Sequence, residues 1–426
     1  MSITAAQKRG SGKAGEVPFI CTTGRRGDAL NAQKQLRVSK RNAQREGWDR
    51  PGQNEGKNVN TKMRFCACIV TAVLLLASGC KKDDAIQNAG PASGMWITAD
   101  PMTTPRWDHA AVLLRDGKVL VSGGGLYMMT AGRTCETFDP ARGTWTPADS
   151  MVMARSAGKL LLLQNGKVLA ITGEAWDGAT CELFDPATGR WSLTGSLPSP
   201  RRDMTATLLQ NGKVLVAGGS NSDAIDSCEV YDPATGVWSP TGSMRFKRFG
   251  HAAVLLPTGK VLAVGGNGSG PALRSAEIYD PLSGAWSLTD SLGIPRAHHT
   301  ATLLTNGKVL VTGGDGDRGP EASCELYDTL SGTWSATGSM LHGKSFHSAV
   351  SLPNGNVLVH NTTSDQIGST LCELYDESTG TWSSTGSLHA SRAGFSLTAL
   401  GDGRVLIAGG VGSDFGTLSS CEIYSP

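Results

Sequence analysis

The sequence predicts an all-β fold: a seven-bladed β-propeller of four-stranded antiparallel blades, with the ring closed by an N-terminal strand. Three observations carry this prediction. First, a tight turn followed by an apolar run recurs seven times, with its Gly at 117, 166, 212, 259, 307, 355 and 403, in steps of 49, 46, 47, 48, 48 and 48 residues. A period near 50 marks stacked supersecondary units. Second, each period holds four short strand patterns separated by turns. A unit that small cannot bury its own faces, so the units must stack, and radial stacking makes a propeller. Third, the last unit stops after its third strand at Glu422-Ile423-Tyr424-Ser425-Pro426, while a spare strand, Met95-Trp96-Ile97-Thr98, precedes the first unit. That strand is expected to complete blade seven and remove the free edge of the ring.

The cleanest copy of the repeat shows why each element forms. Asn306-Gly307 between apolar runs is a hairpin turn, since both residues tolerate positive φ. The following Val309-Leu310-Val311 is apolar on both faces, as a strand packed between two sheets requires. Gly313-Gly314 leaves no Cβ where backbones crowd. Upstream, His299 to Leu304 pairs with this strand across the turn. Downstream, Cys324-Glu325-Leu326-Tyr327-Asp328 forms a third strand, Thr329-Leu330-Ser331-Gly332 a turn, and the segment around Trp334 a fourth strand. The outer-strand Trp series is Trp96, Trp145, Trp191, Trp238, Trp286, Trp334 and Trp382.

The order of apolar strand, Val-Leu-Val-x-Gly-Gly, Glu-x-Tyr-Asp and Thr-x-Trp resembles the kelch repeat. The resemblance covers residues 95 to 426 in all seven units. Unit two departs with Thr172-Gly173, unit six with His360-Asn361, and Phe138 and Phe184 replace the Tyr in units one and two.

Residues 1–62 carry thirteen Lys and Arg against five Asp and Glu with no apolar period, which reads as a disordered basic extension from a mis-called start. Met63 then opens a signal segment. Phe65 to Ala77 is an apolar run too short to span a bilayer. Its end, Leu76-Ala77-Ser78-Gly79-Cys80, resembles a bacterial lipobox, with Leu76 one place earlier than in that pattern. The resemblance implies lipidation of Cys80 and, through Lys81, sorting to the outer membrane. The expected organisation is therefore an extension at 1–62, a signal peptide at 63–79, a tether at 80–94 and the propeller at 95–426.

The formal charge of +2 comes from 39 basic and 37 acidic residues. Without residues 1–62 the balance is 26 basic against 32 acidic, which speaks against a nucleic-acid partner, since that would need a basic stripe. Cys135, Cys181, Cys228, Cys324, Cys372 and Cys421 fill one repeated strand position, where unit four has Ala276. Equivalent positions in packed sheets lie about 10 Å apart, beyond disulfide reach, so these thiols read as free and structural. One cation precedes each first strand (Arg106, Arg155, Arg201, Arg248, Arg296, Lys344 and Arg392), and one Glu follows each Cys position. Equal numbers point to a repeated structural ion pair, since buried charges are usually paired.

In a repeat protein, function sits in what one unit has alone. The loops after the Gly pairs vary, and variable loops on a rigid scaffold form a binding face. Candidate binding residues there are Trp107, Asp108, Tyr127, Trp176, Asp177, Asp223, Asp315, Asp317, Arg318 and Asp365. Exposed aromatics beside Asp suit a sugar or a peptide, and each aromatic could equally cover a local apolar gap. His109, His251, His299 and His347 share a position taken elsewhere by Gly158, Met204 and Phe395, so packing explains them better than a metal. The copper oxidases related to galactose oxidase have this fold, but their Tyr–Cys crosslink has no counterpart, because only Tyr127 lies off the repeat and the loops carry no Cys. No metal, cofactor or catalytic residue is assigned. The expected function is a monomeric, lipid-anchored envelope module that binds a protein or glycan through one propeller face. The alternative is a carbohydrate-active enzyme, an epimerase or hydrolase, with its site at the channel mouth.

Overall fold

The structure, a computed structural model, describes residues 94–125, 132–172, 179–360 and 369–426. All of them belong to one compact unit, Ala85–Pro426. They form seven four-stranded antiparallel sheets and two minor hairpins. Blade one runs from the axis outward as Ala110–Leu113, Val119–Ser122, Cys135–Asp139 and Thr144–Ala148. The other blades repeat this order. The innermost strands (Ala110–Leu113, Lys159–Leu162, Thr205–Leu208, Ala252–Leu255, Thr300–Leu303, Ser348–Ser351 and Ser396–Ala399) each neighbour the next, and the last neighbours the first, so the ring is closed. Blade seven takes its outer strand from Met95–Ala99, which pairs antiparallel with Cys421–Ser425 and sets Trp96 opposite Tyr424.

The core lies between blades. Every second strand is buried on both faces, as in Val309–Thr312. Each of seven apolar clusters joins two neighbouring sheets; Val119, Val121 and Phe138 of blade one, for example, meet Leu406, Ala408 and Ile423 of blade seven. The six repeated cysteines are free and buried in these contacts, and burial pushes their thiols up to about 11 or 12. The outer Trp of each blade tilts against the Tyr or Phe beside it, with ring centroids 4.9–5.3 Å apart.

The repeated cation and carboxylate meet in every blade. Arg106–Glu136 is 2.8 Å, Arg155–Glu182 2.5 Å, Arg201–Glu229 2.9 Å, Arg248–Glu277 2.7 Å, Arg296–Glu325 2.9 Å and Arg392–Glu422 3.0 Å, and Lys344 bonds Glu373. Each pair is buried and tied to backbone. Arg248 also donates to the carbonyls of Gly265 and Ser275, and Glu277 accepts from the amides of Arg245 and Phe246. Burial alone would raise the Glu136 pKa, but hydrogen bonds from Thr103 and Arg106 outweigh it and hold the carboxyl below its ordinary value. The pair thus fixes the linker that enters the blade.

The Gly pair clamps one blade to the next. Gly265 has φ +63°, and a Cβ there would come 2.5 Å from the Arg296 carbonyl and 2.6 Å from the His299 ring. Its partner Gly266, at φ +92°, faces the His251 Cβ of its own blade. Where the pair is altered, the facing position is altered too: Thr172 precedes a blade with Met204, and His360 precedes one with Phe395.

Candidate functional site

The linker into each blade turns sharply two residues after the repeated cation. Asp108, Ala157, Asp203, Gly250, His298, Phe346 and Gly394 occupy this position, and all seven are left-handed, with φ between +48° and +62°. Five of them carry a side chain, at a cost of order 1–3 kcal/mol each for such a backbone. Hydrogen bonds between blades hold the strain. The amide of Ala157 donates to the Asp108 carbonyl at 2.7 Å, Gly250 to Asp203 at 2.9 Å, His298 to Gly250 at 2.7 Å, Phe346 to His298 at 3.0 Å and Asp108 to Gly394 at 2.7 Å. These residues form a backbone collar around the channel mouth.

The collar borders a cavity of about 480 Å³, within the ~300–1,000 Å³ of small-molecule sites. Its lining is polarised around the ring. Blades one to three contribute Asp108, Lys159 and Asp203, and blades five and six contribute His298 and Phe346. The His298 and Phe346 rings stack at 3.9 Å and 19°, and Phe249 approaches His298 edge-on at 6.4 Å. One arc of the mouth is charged and the opposite arc is aromatic.

The wall between them is neutral. Burial, aided by the nearby Lys344 charge, pushes His347 down to about 3, and burial holds His251 and His299 well below the ordinary histidine value. His251 bonds Thr205 at 3.0 Å and His347 bonds Thr312 at 2.8 Å. His299, 7% exposed, has neither ring nitrogen hydrogen-bonded among the described residues.

Among the expected binding residues, Asp108 lies in this mouth. Trp107 lies beside it, half-buried, with its indole so close over Gly125 that a Cβ there would meet the ring at 2.4 Å. Asp223 sits on the short hairpin of Ser220–Asn221 and Asp223–Ala224, with Lys247 at 3.9 Å. Asp315 starts a second hairpin and pairs its backbone with Ala297, and Asp317 and Arg318 form its exposed tip. None of these loop residues lines the cavity. Tyr127, Trp176, Asp177, Asp365 and Cys80 lie outside the described residues. Lys159, Asp203 and Phe346 went unrecognised, although a signal exists in each. Lys159 stands where the other blades have Ala110, Thr205, Ala252, Thr300, Ser348 and Ser396.

Comparison with known proteins agrees with this architecture. The family model described as Kelch motif matches residues 201–245, 248–293 and 296–341, and each matched segment opens on the repeated Arg of its blade. The chain is a seven-bladed propeller that carries Kelch motifs in three of its blades. A solved structure similar to it is a fungal alcohol oxidase of the AA5 family in complex with copper: 17% identical, covering 78% of this chain and 76% of that one, with a TM-score of 0.65. At that identity the likeness concerns the fold. No curated protein matches this chain by sequence. Among the described residues of the kelch propeller, no group of three His, Cys, Asp or Glu converges as metal ligands do. Its described Tyr side chains lie in strands, bonded to Thr hydroxyls of the preceding blade, which does not fit a copper site.

Proposed function

We propose that this kelch propeller is a recognition module of a bacterial cell envelope, binding a protein or glycan on the face that carries the channel mouth. Kelch propellers commonly serve as protein-binding scaffolds. The observation that carries the reading is the contrast around the ring. The ion pair within each blade repeats seven times, whereas the mouth residues change from blade to blade, from Asp108 and Lys159 to His298 and Phe346. Selection for folding alone explains the repeated part; a ligand gives a reason for the rest.

The anchoring part of the reading rests on the sequence from Met63 to Cys80. A lipid on Cys80 would tether the propeller through the segment that ends at Gly94, facing the ligand at the outer membrane. Incorporation of labelled palmitate, abolished by Cys80→Ala, is the expected result in a bacterial host, and incorporation retained by that variant refutes the anchor.

A second reading, a carbohydrate-active enzyme, draws on the convergence of Asp108, Lys159 and Asp203 in one cavity. One experiment separates the two. The full-length protein and its Asp203→Ala and Phe346→Ala variants are applied to a glycan array and to detergent-solubilised envelope. Specific retention that both variants lose, without turnover of the retained glycan, supports recognition at the mouth. Turnover lost in Asp203→Ala supports the enzyme, and retention unaffected by both variants removes the ligand from this face.

A further inference from the structure

Lys159 opens the innermost strand of blade two and lines the mouth cavity. The six equivalent residues are Ala, Ser or Thr, so the repeat has no structural use for an amine at this place. No carboxylate among the described residues comes within ion-pair distance of its ammonium, although Asp108 and Asp203 line the same cavity from the blades on either side. The other titratable groups facing the cavity are His251, His298, His299 and His347. The channel wall takes bulk water from around Lys159 and lowers its pKa, and the Asp203 and Asp108 charges oppose this without cancelling it. The side chain is open to channel water.

We infer that Lys159 is a nucleophilic amine that captures a small aldehyde or ketone in the channel mouth as a reversible imine. The inference goes beyond recognition by the propeller face, because it names a covalent bond and the atom that forms it. The Lys159 Nζ lone pair attacks the carbonyl carbon. A C–N bond forms, the C=O π electrons move to oxygen, and a proton passes from nitrogen to that oxygen to give a carbinolamine. Protonation of its hydroxyl and loss of water then leave the C=N bond, and the last nitrogen proton goes to a carboxylate. The net change is amine plus carbonyl to imine plus water, with no change of oxidation state. Asp108 and Asp203 flank the amine where a proton must be taken and returned. A lysine in a crowded site, less stable as an ammonium, is the usual form of such a nucleophile. The stacked His298 and Phe346 rings offer a shelf for the carbon skeleton, and the buried His299 ring, with no hydrogen bond among the described residues, offers a polar atom to its substituents.

The test uses the full-length protein, glyceraldehyde and sodium cyanoborohydride at pH 7, with the labelled lysines read by peptide mass spectrometry. Lys118, Lys213 and Lys260 serve as internal references, since each is exposed and paired with an Asp of its own blade. The expected result is Lys159 labelled at least tenfold faster than these three. Labelling of Lys159 at or below the reference rates overturns the inference. All four lysines are read in one folded sample, so misfolding cannot imitate that outcome. Because the probe is a simple aldehyde, failure here leaves the recognition proposal to its own glycan and envelope tests.

Discussion

The Tyr231 hydroxyl lies 2.7 Å from the Thr194 Oγ1 of the preceding blade. The same bond joins Tyr279 to Thr241, Tyr327 to Thr289, Tyr375 to Thr337 and Tyr424 to Thr385. In blades one and two the Tyr becomes Phe138 and Phe184, and the residues facing them are Ala99 and Ala148. Both partners change together, so no buried hydroxyl is left without a bond. Tyr231→Phe should therefore cost about 1–2 kcal/mol, because the Thr194 hydroxyl keeps only a long 3.5 Å bond to the Gly236 carbonyl. The double variant Tyr231→Phe with Thr194→Ala recreates the blade-two pair and should cost less than the two single changes summed. Urea unfolding of the four proteins measures this coupling, and strict additivity would show that the bond contributes nothing.

Gly265 and Gly307 are both left-handed, yet their surroundings differ. A Cβ at Gly307 meets nothing within 4 Å, whereas one at Gly265 meets the Arg296 carbonyl and the His299 ring. Gly307→Ala should lose about 1–2 kcal/mol, the cost of an alanine in that conformation. Gly265→Ala should lose several kcal/mol, because a blade must also move. Equal losses by thermal denaturation would mean that the Gly pair does not clamp neighbouring blades.

Arg248 and Glu277 are both fully buried and 2.7 Å apart. Removing one partner leaves the other charge in the core, so Glu277→Ala should cost about 3–5 kcal/mol. The exposed pair of Arg142 and Asp139, at 2.6 Å, should contribute under about 1 kcal/mol when Arg142 is removed. Denaturant midpoints of the two variants test the contrast.

Acid should destabilise the ring before the carboxylates titrate. His109 and His347 have pKa values lowered from 6.5 to about 3, by burial first and by neighbouring cations second. A depressed folded pKa means that the unfolded chain binds protons more readily, so stability is full above 6.5 and falls as pH drops toward 3. At pH 5 each histidine should account for a loss on the order of 2 kcal/mol. Urea midpoints between pH 8 and pH 5 should show the decline, and His109→Met, which adopts the residue of blade three, should flatten it. A midpoint constant over that range would contradict the buried neutral histidines.

Much of this molecule is legible along the chain because repetition reports itself. Turn Gly residues 46 to 49 apart count the blades, and Trp96 at the front answers the missing outer strand at the end. Val309 to Val311, apolar without alternation, already reads as a strand covered on both faces. The loop tips at Asp223, Asp317 and Arg318 stand out along the chain by their variability, and the structure sets them on separate hairpins away from the cavity. Trp107 stood out as an aromatic off the repeat, but its contact with Gly125 depends on a fold in space.

The number of blades, the order of strands and the closure of the ring are all legible along the chain, since each follows from local turn chemistry and period. The make-up of the mouth depends instead on how the blades meet in space. Asp108, Lys159, Asp203, His298 and Phe346 are scattered over 239 positions and meet because each begins a different blade at the same axis. Their left-handed or channel-lining placement comes from inter-blade hydrogen bonds, which no local pattern encodes.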